Sequence, residues 1–497
     1  MGIIARQSIK GTIVTYLGVA IGFVTTFFVL TRFLSAEEIG LARVLVDAAV
    51  LFISIAQLGT SSSIIRFYPY FKDGKQDHGF FFWTLCVPFI GFLLISVIYW
   101  ACRVPLCQWF SEKSPLFVDY YYMVLPIAFF MLYQTILETN ANALMRIVVP
   151  RAVREVGVRV GMLVAYLLYA FRVLSMDGFV IAISLVYAFA TLINLVYLWY
   201  VGRISLRVDW DFLRENKALI RNYLLYTAFL VVSALATVLA PTLSSFFITA
   251  KMGLNYTGIF AIATYVSVMV SIPYRSVTAI ASPQLAQTIK DKDTKATSNL
   301  MRQCSNNLLL IGGFIFLAIW INIDLIFHIL PNGEVYSVAK YVILILSLSQ
   351  LLLSTYNITV SALNYSKFYA FSLILSLLLT VSAIWLNNML IPSLGMEGAA
   401  WSNLLSYIGY FVGVIGVLAL SSKVLPFSWN QLKILVLLII VFALNYLWQT
   451  YIPIDNIWLS SILRSFVLLG GGFLVAWKMR LSPEVYEILC SVFISRH

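Results

Sequence analysis

Long apolar runs separated by short charged junctions organise the whole chain. Residues 11–31, 48–65, 79–102, 120–137, 178–202, 222–250, 252–274, 303–323, 341–366, 368–396, 398–422 and 434–454 contain no Asp, Glu, Lys or Arg. A helix needs about 20 mostly apolar residues to cross a bilayer, so each run predicts a membrane-spanning helix. Two further spans must carry charge: residues 152–171, with Arg154, Glu155 and Arg159, and residues 457–477, with Arg464. The pattern predicts an all-α integral membrane protein of about 14 transmembrane helices. The short alternating segments of an outer-membrane barrel are missing. The first run is too long for a cleaved signal peptide, and no small-residue cleavage site follows it.

Three sequence echoes reveal an internal repeat. "TRFLSAEEIGL" at 31–41 aligns with "TAKMGLNYTGI" at 249–259, which pairs Gly40 with Gly258 at an offset of 218. "NALM" at 142–145 aligns with "SALN" at 361–364, and "LSMDG" at 174–178 with "LGMEG" at 394–398. Six spans separate the paired elements, so both halves share one orientation. Two six-helix lobes related by a pseudo-two-fold axis along the membrane normal follow, plus two C-terminal helices outside the repeat. The expected domains are residues 1–215, an N-lobe including a basic linker from 201; residues 216–422, a C-lobe; and residues 423–497, two spans and an amphipathic tail. Gly40 and Gly258 are expected to supply the positive φ of tight reversals. Asp177 and Glu397 are expected in the first turns of their helices, where a carboxylate favours the helix dipole. The segment 276–302 is expected as a helix lying on the inner surface.

Composition supports lipid as the solvent. The chain has 497 residues, 61% hydrophobic and 11% charged, against about 25% charged in soluble domains. With the amino terminus placed inside, 25 of the 33 Lys and Arg residues fall on inner segments. This bias predicts both termini in the cytoplasm and explains the +12 net charge without nucleic acid as partner. Basic inner segments instead face anionic lipid. Of five cysteines, Cys102 and Cys107 share one outer segment and could pair in an oxidising compartment.

No P-loop, HExxH, paired CxxC or GxSxG occurs, and the three histidines lie far apart, so neither metal nor nucleophilic catalysis has a motif here. The informative residues are ionisable groups inside the spans, where a charge costs at least ~2.5–3.5 kcal/mol and usually faces a cavity. Arg43 and Asp47, spaced i, i+4, share a helix face and can pair. Arg32 closes the first span. Glu138 falls in a polar cluster with Gln134, Asn140 and Asn142. Arg151, Glu155 and Arg159 form an i, i+4, i+8 stripe, with Arg154 one step away. Arg464 reads as a side chain that snorkels outward. The second half is far poorer in such groups.

The stretch "TRFLSAEEIGLARVLVDAAVLFISIAQLGTSSSIIRFYPYFKD", its echo "KMGLNYTGIFAIA" and the "LGMEGAAWSNLL" entry to the twelfth span resemble the polysaccharide transporter branch of the multidrug/oligosaccharidyl-lipid/polysaccharide (MOP) exporter superfamily, which is MATE-like in fold. Its members include the Wzx-type O-antigen and capsule flippases of bacteria. The resemblance covers nearly the whole chain. It implies a non-enzymatic translocase of the bacterial inner membrane with a V-shaped central cavity and alternating access. Its cargo would be a polyprenyl-pyrophosphate-linked oligosaccharide, with membrane lipids and the polysaccharide polymerase or export machinery as further partners. It implies no bound cofactor and no metal, but an H⁺ or Na⁺ gradient as the energy source. Arginine recognises pyrophosphate through paired hydrogen bonds, so Arg32, Arg43, Arg66 and Arg159 are the candidate cargo contacts. Asp47 and Glu138 are the candidate coupling carboxylates, and Arg43 with Asp47 a candidate latch at the mouth of the passage. A lipid II flippase fits the same pattern. A multidrug antiporter of cations calls for an acidic cavity, and a polymerase or ligase for a large periplasmic loop; neither feature is present.

Overall fold

The computed structural model describes residues 3–71, 78–144, 146–201, 209–211, 216, 221–223, 242–452 and 454–482. Most of the basic linker 201–222, most of the run 222–250 and the tail 483–497 lie outside the described residues. Among the described residues the regular structure is helical, with no strand. Eleven helices there are long and apolar enough to cross a membrane.

In chain order, the first elements are α1 (Val14–Phe33), α2 (Ala36–Ala56), α3 (Thr60–Phe71), α4 (Phe80–Ala101), α5 (Tyr121–Ala143), α6 (residues 148–170) and α7 (Met176–Tyr200). After them come α8 (Leu254–Arg275), α9 (Thr294–Ile321), the short α10 (Ile323–Ile329), α11 (Lys340–Tyr365), α12 (Tyr369–Ser422), α13 (Trp429–Tyr451) and α14 (Ile457–Lys478). Of these, α3, α6 and α10 are not among the eleven; α6 is the expected charge-bearing span. The 54-residue run of α12 is two helices in sequence, parted at Gly395 (φ 58, ψ −135). Only glycine takes that conformation without strain.

The chain divides into two compact units, residues 1–261 and 262–497. In the first, α5 is central and packs against α2, α3, α4 and α7. Its buried face carries Ile127, Leu132, Ile136 and Leu137. In the second, α11 holds the middle against α9 and both arms of α12. Outward faces are apolar throughout. Leu94, Val97, Ile98 and Trp100 on α4, and Leu185, Phe189, Leu192 and Val196 on α7, are exposed, as a hydrocarbon solvent requires. Several hydroxyls in the spans bond within their own helices: Thr31 donates to the Phe27 carbonyl, Ser54 to Val50 and Thr139 to Thr135. Backbone bonding of this kind lets Ser and Thr sit in apolar surroundings.

Two expectations are corrected. Gly40 and Gly258 do not have positive φ; Gly253 (φ 104) does, at the entry to α8. The two repeat glycines instead permit a close crossing with each other's helix. A Cβ on Gly40 would lie 2.0 Å from the Leu254 carbonyl oxygen, and one on Gly258 would lie 1.8 Å from that of Ala36. Ala36 and Leu254 are themselves related by the 218-residue offset. The contact is therefore two-fold symmetric at the level of single residues: each glycine receives the other repeat's carbonyl. The segment 276–302 is not a separate surface helix. One helix runs Ile272–Lys290, a three-residue turn follows, and Thr294 opens α9, with the Asp293 side chain accepting from the Ala296 N–H. Cys102 and Cys107 are both free.

Candidate functional site

Buried charge in the first unit collects where α1, α5 and α6 meet. Glu138 projects from α5 and is 5% exposed. Arg154 of α6 reaches it at 3.0 Å. The same guanidinium lies 3.3 Å from Glu155, and Glu155 in turn lies 3.2 Å from Arg159. Two carboxylates and two guanidinium groups thus alternate in one ladder, with zero net charge.

The backbone explains why neighbours in sequence face the same partners. A π-turn spans Val153–Gly157 and inserts an extra residue into the turn. The expected stripe of Arg151, Glu155 and Arg159 therefore holds at its second step, the Glu155–Arg159 pair, but not at its first. Arg154 takes the place expected of Arg151. Pattern reading set Arg154 one step off the stripe because it assumed an even 3.6-residue period. The one cue was Glu138 on the preceding span, a carboxylate too deep to stand alone.

Helix α1 closes one side of the ladder through two glycines. A Cβ on Gly18 would lie 2.3 Å from the Glu155 carbonyl oxygen, and one on Gly22 would lie 2.9 Å from Arg159 Nη1. The first glycine admits the α6 backbone and the second leaves room for the arginine head. Three residues after Gly22, α1 has its own π-turn, Thr25–Leu30. Beyond Glu138, α5 continues the polar strip: Asn140 donates to Thr84 at 3.1 Å, while the Gln134 Nε2 and Asn142 Oδ1 atoms are buried with no partner in the structure.

The other candidates take separate places. Arg43 and Asp47 pair on α2 as expected, at 2.8 Å, with Asp47 5% exposed. Arg32 is exposed at the end of α1, its guanidinium carbon 5.6 Å from the Phe33 ring centre. Arg66 is exposed on α3 and stands in the same relation to Phe67. Of the six candidates, then, the ladder unites Glu138 and Arg159, and Arg43 with Asp47 forms a second pair. At the start of α2, Ser35 and Glu38 form a reciprocal cap: Ser35 N–H donates to Glu38 at 2.7 Å and Glu38 N–H to Ser35 at 3.3 Å. The Tyr169 hydroxyl of α6 also donates to Glu38. Sequence patterning gave Glu38 no role beyond a rim charge. The expected first-turn carboxylate Asp177 accepts from Tyr120 at 2.6 Å.

Among the described residues no group of three His, Cys, Asp or Glu side chains is placed to hold a metal. The chemistry available is ionic: pairs that exchange partners, and carboxylates that can gain a proton or a cation.

Comparison with known proteins gives the family and the fold. A family model described as polysaccharide biosynthesis protein matches residues 4–289, more than half the chain and all of the ladder. No curated protein sequence matches. Among solved structures, the lipid II flippase MurJ in an inward closed conformation is similar at TM-score 0.71 and 13% identity, covering 95% of this chain and 99% of that one. An inward-facing multidrug resistance MATE family transporter of the MOP superfamily is similar at TM-score 0.61 and 15% identity, covering 85% and 100%. A MOP superfamily transporter from Pyrococcus furiosus, described as having a binding pocket of reverse polarity, is similar at TM-score 0.57 and 14% identity, covering 84% and 96%. These likenesses establish the fold.

Proposed function

Because the chain belongs to the polysaccharide biosynthesis protein family of Wzx-type flippases and has the MOP transporter fold, we propose that it moves a polyprenyl-pyrophosphate-linked oligosaccharide across the bacterial inner membrane by alternating access. It works without covalent chemistry, and its lipid-linked cargo arrives from the cytoplasmic leaflet. Both termini are cytoplasmic in this reading, and polymerase or export machinery takes over the delivered sugar.

The observation that carries the proposal is the neutral ladder Glu138–Arg154–Glu155–Arg159. As it stands it has no charge to offer a pyrophosphate, which carries about two negative charges and prefers guanidinium donors. Neutralising Glu138 with a proton, or covering it with Na⁺, leaves two guanidinium groups on one carboxylate. The ladder then carries one net positive charge in surroundings of low dielectric, where it attracts an anion strongly. Cation and cargo therefore bind together. A dianion with one cation aboard still moves one negative charge outward. With the cell interior negative, the membrane potential favours that step by about 2.3 kcal/mol per 100 mV, while the exported cation moves against its own gradient, so in this reading the potential rather than the cation gradient supplies the drive. Asp47, paired to Arg43, is the second coupling carboxylate, and that pair parts when the passage opens. Arg32 and Arg66 meet the cargo at the two ends of its path.

The direct test is reconstitution of the purified protein with labelled lipid-linked oligosaccharide, reading which leaflet holds the sugar. Arg159→Ala is expected to cut the flipping rate at least tenfold with expression intact. Arg43→Ala should do the same. The double variant Arg43→Met/Asp47→Leu should restore thermal stability, since apolar residues replace a buried ion pair at little cost, but not transport. Full transport by Arg159→Ala and by the double variant would refute the assignment. Lipid II offered in parallel discriminates the competing cargo: faster flipping of lipid II than of the oligosaccharide lipid moves the chain to cell-wall synthesis.

A further inference from the structure

Two buried amides stand beside the ladder and take no part in it. Gln134, one turn before Glu138 on α5, is 3% exposed, and Asn194 on α7 is 1% exposed. The Gln134 Nε2 and both ends of the Asn194 amide are buried with no hydrogen-bond partner among the described residues. Asn140 and Asn387, buried in the same way, bond instead to Thr84 and to the Ala383 carbonyl. Polar groups left dry inside a membrane protein are costly, so the two amides call for an occupant.

Contacts on both sides put them in one layer of the α5–α7 interface. One turn before them, the Thr191 hydroxyl of α7 donates to the Phe130 carbonyl of α5 at 2.7 Å. One turn after them, Leu198 of α7 shares a buried cluster with Leu137 and Ala141 of α5. Gln134 falls between Phe130 and Leu137, and Asn194 between Thr191 and Leu198. The two helices run in parallel, so the amides share a level. At about 100° per residue, Gln134 lies between the α7-facing stripe of α5 and Glu138, whose partner is Arg154 of α6. Asn194 lies between the α5-facing stripe of α7 and Val186, which meets α6: a Cβ on Gly161 would lie 2.9 Å from it. Both amides thus turn toward α6, whose π-turn Val153–Gly157 packs against α7.

The unpartnered atoms select the occupant. They are two nitrogens, which give hydrogens, and one oxygen, which takes one. A cation would meet nitrogen donors, and an anion would lie beside the Glu138 carboxylate. A water molecule donates and accepts, and it needs two to four polar partners. Solvent has a way in, because the Arg154 side chain in the same turn is about half exposed, and a guanidinium at this depth faces a watered space.

We propose that Gln134 and Asn194 hold a buried water between α5 and α7, and that this water carries the coupling proton to and from Glu138. The water gives one O–H proton to a Glu138 carboxylate oxygen and takes one from hydronium on the Arg154 side, so it is unchanged at the end. Transfer through a single held water is an ordinary route for a buried acid. The role rests on the transport reading above and makes its coupling ion a proton rather than Na⁺. The site itself rests on the amides alone.

The site is tested on the full-length protein in nanodiscs by X-ray hydroxyl-radical labelling, which makes radicals from held water and marks the buried side chains next to it. Leu137 and Leu198, both buried, should be labelled in wild type and lose most of that label in Asn194→Leu. The thermal midpoint should fall in Asn194→Leu and in Gln134→Leu, because each strands the other amide. Dry amides would instead gain from an apolar replacement of similar size. Asn194→Ser keeps a hydroxyl for the water but is too short to reach Gln134, so its label and midpoint should stay near wild type. Unlabelled leucines in wild type, or a raised midpoint in both leucine variants, overturn the site. Asn194→Ser as damaging as Asn194→Leu shows a direct amide–amide bond and overturns it too. Na⁺ that stabilises wild type but not Asn194→Leu overturns the choice of water over a cation. The role is read in liposomes with a pH-sensitive dye. Asn194→Leu should slow flipping and the accompanying proton movement by about tenfold or more, with lipid-linked oligosaccharide still bound. Wild-type rates in that variant overturn the role. Labelled leucines in a wild type that flips no oligosaccharide lipid support the site and sink the transport reading.

Discussion

The two units solve the problem of polar groups in a membrane differently. In residues 1–261 the deep charges are neutralised inside the protein, by the pair Arg43–Asp47 and the ladder from Glu138 to Arg159. In residues 262–497 the buried polar side chains are chiefly hydroxyls and amides, among them Ser267, Ser305, Thr355, Thr359 and Asn387, which bond to carbonyls of their own or a neighbouring helix. The one deeply buried charge described there, Arg464, makes no contact ion pair among the described residues; Asp324, which acts on it electrostatically, is in contact with Lys340. Yet the scaffold repeats to the residue: Gly40 and Gly258 exchange equivalent contacts, with Ala36 and Leu254 as equivalent acceptors. Duplication kept the backbone geometry and let the charges diverge. Among the described residues, paired deep charge is thus concentrated in the first unit.

The sharpest way to break the contrast is to unbalance the ladder. Arg154→Ala leaves Glu138, 5% exposed, without its direct partner. Breaking a buried pair from one side costs about 3–5 kcal/mol. The expected outcome is a large fall in the thermal midpoint in detergent, with flipping abolished. Glu138→Gln in the same background should recover most of the stability and none of the transport. If Arg154→Ala unfolds like wild type, the first unit does not depend on internal neutralisation, and the contrast between the units fails.

A smaller effect tests the glycine crossing between the two sequence repeats, which lies inside the first unit. Gly40→Ala and Gly258→Ala each place a Cβ about 2 Å from a carbonyl oxygen, so the helices must separate. Overpacking of this kind costs about 1–3 kcal/mol. Because the contact is symmetric, the two variants should lower stability equally, and the double variant by less than the sum, since one separation relieves both clashes. Clearly unequal losses show that the repeat is symmetric in sequence but not in mechanics.

The sequence shows plainly what depends on local composition. Charge-free runs mark the spans, the i, i+4 spacing of Arg43 and Asp47 gives their pair, and offset echoes pick out the repeat. Legibility ends where a helix departs from its regular period or where the partner comes from elsewhere. The π-turn at Val153–Gly157 hands Glu138 to Arg154, and no even helical wheel shows that. Gly40 and Gly258 were visible as a pair, but their purpose was not, because close approach and positive φ both call for glycine. Arg464 looked like a snorkelling residue because depth along a helix says nothing about which side neighbouring helices cover.

The mildest perturbation addresses the rim of the first unit, where neutral donors rather than cations serve the carboxylates. Glu38 takes the Ser35 N–H and the Tyr169 hydroxyl, tying the start of α2 to α6. Tyr120 and Asp177 form a similar link at the start of α7. Tyr169→Phe removes one hydrogen bond to a charged acceptor and leaves the ring tilted against Phe179, 5.0 Å between centres. The cost to stability should be about 1 kcal/mol, because Glu38 keeps its cap and is open enough for water to replace the hydroxyl. Transport should respond differently. If the link holds α6 to α2 in one state of the cycle, losing it changes the flipping rate about fivefold for each kcal/mol by which the two states are rebalanced. An equal and small loss in stability with no change in rate makes the rim bond a static brace, and leaves the ladder as the part of the first unit whose charges do the switching.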